Sequence, residues 1–100
     1  MKTINMGLNT EPSWAKADEV IARWKVEGND EMVNYWERQK ISSIELRDEI
    51  IRTVEKDGCC SLNWSCLGET RFNIHANQWK EAMPQYRFEI GRYSCKVYAE

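Results

Sequence analysis

The sequence predicts an α+β domain in which a helical part precedes a sheet part. Apolar residues recur at helical spacing over residues 13–57, whereas from Cys59 onwards they alternate with polar residues, which is the period of a β-strand. The chain has 100 residues, of which 42% are hydrophobic and five are tryptophans, so it can build one hydrophobic core but not two. We therefore expect a single domain over residues 1–100 with no internal linker. Its helices should pack on one face of a four- to five-stranded sheet.

The N-terminal segment, residues 1–12, is predicted to be a short strand or an ordered arm. Ile4, Met6 and Leu8 alternate there with polar residues or glycine. The first helix should open at Pro12 and Ser13 and end at Gly28. Its apolar stripe consists of Trp14, Ala17, Val20, Ile21 and Trp24.

Two further helices are predicted before residue 58. One begins at Asn29 or Asp30 and buries Met32, Val33 and Trp36. The other covers about residues 43–56, because Ser42 and Glu45 have the spacing of a capping box. Gly58 is placed to end this third helix with a left-handed turn.

The sheet part is predicted to contain two antiparallel hairpins over residues 59–100, joined by a short helix. In the first hairpin, Cys60, Leu62, Trp64 and Cys66 share the core face and oppose Phe72, Ile74 and Ala76, provided that the turn at Gly68 contains a bulge or a third loop residue. Asn77 caps the short helix and Pro84 stops it. In the second hairpin, a Gly91-Arg92 turn pairs Ile90 with Tyr93, Phe88 with Cys95, and Tyr86 with Val97.

The cysteines suggest a metal or thiol site, but their spacing argues against one. The candidate set is Cys59, Cys60, Cys66 and Cys95 with the single histidine, His75. An extended strand separates Cys60 from Cys66 by about 20 Å, which is too far for one zinc ion or one disulfide. Cys59 and His75 would share a face of the first hairpin, as a cysteine nucleophile requires, but no oxyanion site accompanies them. We therefore expect no cofactor, no metal and no catalytic residue, and a cysteine-based site is the third interpretation.

The charge balance disfavours a nucleic-acid partner. The net charge is −2, with nine basic and twelve acidic residues over 1–57 and five basic and four acidic residues over 58–100. Binding to phosphates usually requires a basic excess. Three helices followed by a hairpin are nevertheless the order of a winged-helix DNA-binding domain, so a nucleic-acid-binding domain is the alternative interpretation.

The terminal segment and the hydropathy predict a cytoplasmic protein. Residues 1–14 lack the apolar run of a signal peptide. No stretch approaches the roughly 18 apolar residues of a membrane span. We expect reduced thiols and no membrane partner.

The polar face of the predicted sheet is the best candidate for a binding surface. It is rich in amides, hydroxyls, arginine and tyrosine, which are typical of polar protein interfaces. A merely solvated antiparallel face would be the simpler explanation. The candidate residues on this face are Asn63, Ser65, Arg71, Asn73, His75, Arg87, Lys96 and Tyr98, with Trp79 and Tyr35 as exposed aromatic anchors.

These observations predict a small, stand-alone, non-enzymatic binding protein. It would act by occupying a surface of a larger protein or nucleoprotein complex, as small inhibitors, immunity proteins and phage-encoded antagonists of host defence do. The comparison with those proteins rests on size and on the lack of a catalytic motif.

Overall fold

The fold is α+β, with three helices and a four-stranded mixed sheet. The computed structural model describes residues 1–7, 11–65 and 67–100. In chain order the elements are strand β1 (Thr3–Asn5), a 3₁₀ turn (Ser13–Ala15), helix α1 (Ala17–Val26), helix α2 (Asp30–Asp57), strand β2 (Cys59–Asn63), helix α3 (Glu69–Ala82), strand β3 (Arg87–Ile90) and strand β4 (Cys95–Tyr98).

The strand order is β1-β2-β4-β3, and the outer pair β1 and β2 is parallel. The prediction of two antiparallel hairpins is therefore wrong in part, because only β3 and β4 form a hairpin. The predicted N-terminal strand exists and buries Ile4 and Met6, while Leu8 lies outside the described residues. Helices α1 and α2 provide the long crossover that a parallel strand pair requires.

Helix α2 is one continuous helix where the sequence pattern predicts two. Its first amides are capped by Asn29, whose side-chain oxygen accepts a hydrogen bond from the Met32 amide at 3.1 Å. The capping box at Ser42 is wrong, because α2 continues through this position without a break. The C-terminal end of α2 agrees with the predicted left-handed turn, because Gly58 adopts φ +80° and its amide donates to the Val54 carbonyl at 2.8 Å.

Helix α3 replaces the predicted second strand of the first hairpin. Phe72, His75, Ala76 and Trp79 are buried at helical spacing, and Ile74, expected inside, is 51% exposed. Asn77, the expected cap, lies within the helix and donates to the Asn73 carbonyl at 2.8 Å. Pro84 follows the helix end as predicted. The predicted order of three helices before a first hairpin does not form as expected, because residues 30–57 make one helix and residues 69–82 are helical.

The last hairpin forms with a different register. Phe88 pairs with Val97 and Ile90 with Cys95, so that residues 91–94 make a four-residue loop. This loop is closed by the Gly91 amide, which donates to the Ser94 carbonyl at 2.8 Å. A shift by two residues leaves the residues of β3 and β4 on their predicted faces, whereas Tyr93, expected opposite Ile90 on the apolar side, is exposed in the loop.

The molecule has two layers, with the helices on one side of the sheet. The main core joins strand residues such as Leu62 and Val97 to Ile50, Phe72 and Trp79 of the helices. A second, smaller cluster of Ala17, Ile21 and Val33 holds α1 against the first half of α2. Within the described ranges, no helix has the length and apolar character needed to cross a membrane.

Candidate functional site

One face of the sheet points away from the helices, and we call it the outer sheet face. Its residues alternate along the strands with the buried residues Ile4, Cys60, Leu62, Phe88, Cys95 and Val97. They are exposed or half-buried. The outer sheet face consists of Thr3, Asn5, Cys59, Ser61, Asn63, Arg87, Glu89, Lys96 and Tyr98.

Strand register arranges these side chains in rows across the sheet. The first row is Cys59, Tyr98 and Arg87. The second row contains Ser61, Lys96 and Glu89, with Thr3 at its end. Side chains in one row are direct neighbours, so Arg87 lies beside Tyr98 in the first row and Lys96 lies beside Glu89 in the second.

Arg87 is held in place by two contacts on this face. Its guanidinium carbon lies 4.5 Å from the centroid of the Tyr98 ring. The same guanidinium bonds the Glu89 carboxylate at 2.7 Å. Lys96, in contrast, makes no ion pair with any residue that the structure describes.

A small amide and hydroxyl network lies at the end of β1 and β2. Asn63 Nδ2 donates to Ser65 Oγ at 3.3 Å, and Ser65 Oγ donates to Asn5 Oδ1 at 3.4 Å. Asn5 Oδ1 also accepts from the Gly7 amide. These groups are pre-ordered hydrogen-bonding partners at the edge of the outer sheet face.

The structure brings only part of the predicted set together. Asn63, Arg87, Lys96 and Tyr98 share the outer sheet face, and Ser65 adjoins it. Thr3 and Asn5 were missed, because nothing local in the sequence indicates that β1 pairs with β2. The pattern of alternation in residues 3–6 was the only available signal.

The three predicted residues of the second strand are instead on α3. Arg71 is exposed there. Asn73 Nδ2 donates to the Glu69 carbonyl and, at 3.1 Å, to the Arg92 carbonyl, so it joins the helix to the hairpin loop. His75 is buried and stacks on Trp64, with ring centroids 6.1 Å apart. All three leave the predicted face because helix α3 packs on the other side of the sheet.

The two predicted aromatic anchors differ in their exposure to solvent. Trp79 is 0% exposed and packs on Trp14 with ring centroids 5.1 Å apart, so its prediction as an anchor is wrong. Tyr35 is 46% exposed on the first half of α2, as expected, but it lies far along the helix from the sheet.

The cysteines do not form a site among the described residues. Cys59 lies on the outer sheet face and His75 inside, on opposite sides of the sheet, so the predicted pair does not form. Burial raises the pKa of Cys60 from 9.0 to about 11 and that of Cys95 to about 12, which keeps both thiols protonated. In the described ranges, no three His, Cys, Asp or Glu side chains converge as metal ligands, and Cys66 lies outside those ranges.

Sequence reasoning also missed a cleft in the helical layer. It is bounded by residues 11–13, 15 and 16, by Trp36 of α2, and by Gln78, Glu81 and Ala82 of α3. Its lining comes from three separate parts of the chain, so no local motif could reveal it.

Comparison with known protein families, curated proteins and solved structures gave no match.

Proposed function

We propose that this chain is a small non-enzymatic binding protein that occupies a surface of a larger macromolecule through its outer sheet face. The carrying observation is the Arg87–Tyr98 stack, next to a row in which Lys96 makes no ion pair with a described residue. Arginine and tyrosine are the residues that most often anchor protein interfaces. A stacked guanidinium is already ordered, so less conformational entropy is lost when a partner binds it.

The charges of the outer sheet face favour an acidic protein surface as the partner. The face carries the cations Arg87 and Lys96 against one acid, Glu89, although the whole chain has a net charge of −2. A local positive excess on an acidic protein steers the encounter towards carboxylates and suppresses wrong orientations. Glu89 neutralises part of the charge of Arg87. The positive electrostatic potential that remains on the outer sheet face is smaller than phosphate binding usually requires.

The proposed mode of action is occlusion, in the manner of a small inhibitor or antagonist. The polar rows of the outer sheet face offer contacts for recognition, and the protonated thiols of Cys60 and Cys95 offer no nucleophile. A protein that works by covering a surface needs shape and charge rather than a reactive group.

Capture of the partner with the tagged protein from its own cells tests the proposal. Arg87→Ala and Lys96→Ala should each weaken capture, with a loss of about tenfold in affinity for Arg87→Ala. Arg71→Ala is the matched control, because it also removes an exposed arginine, from α3 on the other side of the sheet. The thermal midpoints of all three variants should stay close to that of the unchanged protein.

Two results would contradict the proposal. One is an equal loss of capture in Arg71→Ala, which would remove the outer sheet face as the contact. The other is a steep decrease of affinity with salt that is linear on a logarithmic scale, since this indicates phosphates and hence a nucleic-acid partner.

A further inference from the structure

The cleft in the helical layer has the size of a side chain rather than of a cofactor. Its volume is about 210 Å³, and no strand residue lines it. Sites for drug-sized ligands and cofactors usually measure about 300–1,000 Å³. The cleft shares no residue with the outer sheet face, so it is a separate candidate site that does not depend on the proposed function.

Part of the cleft lining is apolar. It includes Pro12 before the 3₁₀ turn, Ala15 in that turn, Ala82 at the end of α3 and Trp36 of α2. A cation gains from a nearby indole because the ring face is electronegative.

The cleft contains one buried hydrogen-bond acceptor and two exposed carboxylates. Gln78 Oε1 is buried and receives no hydrogen bond from the part of the chain that the structure describes. The carboxylates of Glu11 and Glu81 make no ion pair with the described residues. The Ser13 hydroxyl is not available as a donor, since it bonds the Glu11 carbonyl at 3.3 Å.

A buried acceptor that lacks a donor destabilises the protein until a ligand supplies one. Two carboxylates against the single ammonium of Lys16 give the lining a net negative charge. The missing partner is therefore a positively charged donor that has an apolar or planar body to lie against Trp36. A guanidinium meets all of these requirements, because it is planar, permanently charged and carries five N–H donors.

We propose that this cleft binds a guanidinium group, as carried by a small molecule or by an arginine side chain of a partner. The carboxylates of Glu11 and Glu81 neutralise the charge, and Trp36 offers its ring to the guanidinium plane. The Gln78 side chain turns towards the cleft, so that Oε1 accepts one N–H. Lys16 opposes the ligand, so it limits the affinity.

Titration followed by ¹H–¹⁵N NMR tests the proposal with a matched pair of probes. N-acetyl-arginine amide should shift the Trp36 indole and the Gln78 side-chain amide in a saturable way. N-acetyl-citrulline amide has nearly the same shape without the charge and should not. Propylguanidine, which carries the guanidinium without the peptide-like groups and without a second charge, should bind like the arginine probe if a free small molecule is the source. Binding of the arginine probe alone assigns the site to a side chain of a partner.

Substitutions in the cleft give expected changes of opposite sign. Glu81→Gln should weaken binding of the arginine probe by about fivefold, whereas Glu45→Gln, the same change on an exposed part of α2, should not affect it. Lys16→Gln should strengthen binding, because it removes the like charge. All three positions are exposed, so the fold should survive each change.

Three results would overturn the assignment. Equal shifts with the citrulline probe would show that the charge is not recognised. Equal or tighter binding of N-acetyl-lysine amide would replace the guanidinium by an ammonium. Weaker binding of the arginine probe in Lys16→Gln together with tighter binding in Glu81→Gln would show that the charges of the cleft do not hold the guanidinium.

Discussion

The Trp14 amide donates a hydrogen bond to Ser43 Oγ at 3.2 Å, and the same hydroxyl donates to the Lys40 carbonyl at 2.9 Å. This one buried side chain therefore joins the 3₁₀ turn to the middle of α2. Ser43→Ala should lower the free energy of unfolding by about 1–3 kcal/mol, because it leaves the Trp14 amide without a partner. Chemical denaturation measures the loss.

Ser42 provides the matched control for this prediction. Ser42 is exposed, and it lies in the interior of α2, where alanine is a better helix former. Ser42→Ala should be neutral or slightly stabilising. A loss of about 0.5–2 kcal/mol in Ser42→Ala would instead indicate a helix cap at this position and would contradict the continuous helix.

Trp79 should be one of the most costly residues to truncate. It is fully buried between the sheet and Trp14, so Trp79→Ala should lower the free energy of unfolding by about 3–5 kcal/mol. Tyr35→Ala removes an exposed aromatic side chain, so it should change the free energy of unfolding by no more than about 0.5 kcal/mol. Similar values for the two variants would refute the buried position of Trp79.

The described thiols should differ in reactivity in the native protein. Cys59 is half-buried on the outer sheet face, whereas Cys60 and Cys95 are buried and have raised pKa values. In a Cys66→Ser background, a thiol reagent such as DTNB should label one cysteine quickly and the other two only on unfolding. Labelling should disappear when Cys59→Ser is added. Fast labelling of a second thiol would contradict the packing of β2 against β4.

Stability should decrease in alkaline solution because of the same two buried thiols. Their folded-state pKa values, about 11 for Cys60 and about 12 for Cys95, lie above the value of 9.0 for an ordinary thiol. Above pH 9.0 the native state therefore retains protons that the unfolded state releases. The contribution of the two thiols to the free energy of unfolding is complete below pH 9.0, and it is lost as the pH rises through their folded-state pKa values. Burial and a hydrogen bond to Glu55 raise the pKa of Tyr86 to about 12, so it adds to this loss at higher pH.

Denaturation at about pH 8 and about pH 10 separates the thiol contribution from that of the tyrosine, whose ordinary pKa is 10.0. The unchanged protein should lose more stability between the two pH values than the Cys60→Ala, Cys95→Ala variant. Equal losses would assign the alkaline decrease to other groups.

The sequence places part of the candidate surface correctly and part of it wrongly for one reason. Arg87, Lys96 and Tyr98 share a face with Asn63 because strict alternation in β2, β3 and β4 fixes which side each residue occupies. Arg71, Asn73 and His75 were assigned to that face by an alternation of only three apolar residues. Such a short pattern fits a helix equally well.

Local chemistry by itself determined the helix ends and the inward side of the strands. Gly28 and Gly58 end helices because both adopt a positive φ, which costs little without a β-carbon. Leu62 and Trp64 face the core as their alternation predicts. These features depend on a few neighbouring residues, so the sequence is sufficient for them.

Only the tertiary structure decided the continuity of α2, the helical state of α3 and the parallel pairing of β1. Ser43 stays inside a helix because the Trp14 amide, 29 positions away, binds its hydroxyl. Residues 69–82 are helical because that conformation buries Phe72 and Trp79 against the sheet, a gain that a strand would forfeit. In each case the stabilising free energy comes from contacts between residues far apart in the chain. A local sequence pattern does not indicate such contacts.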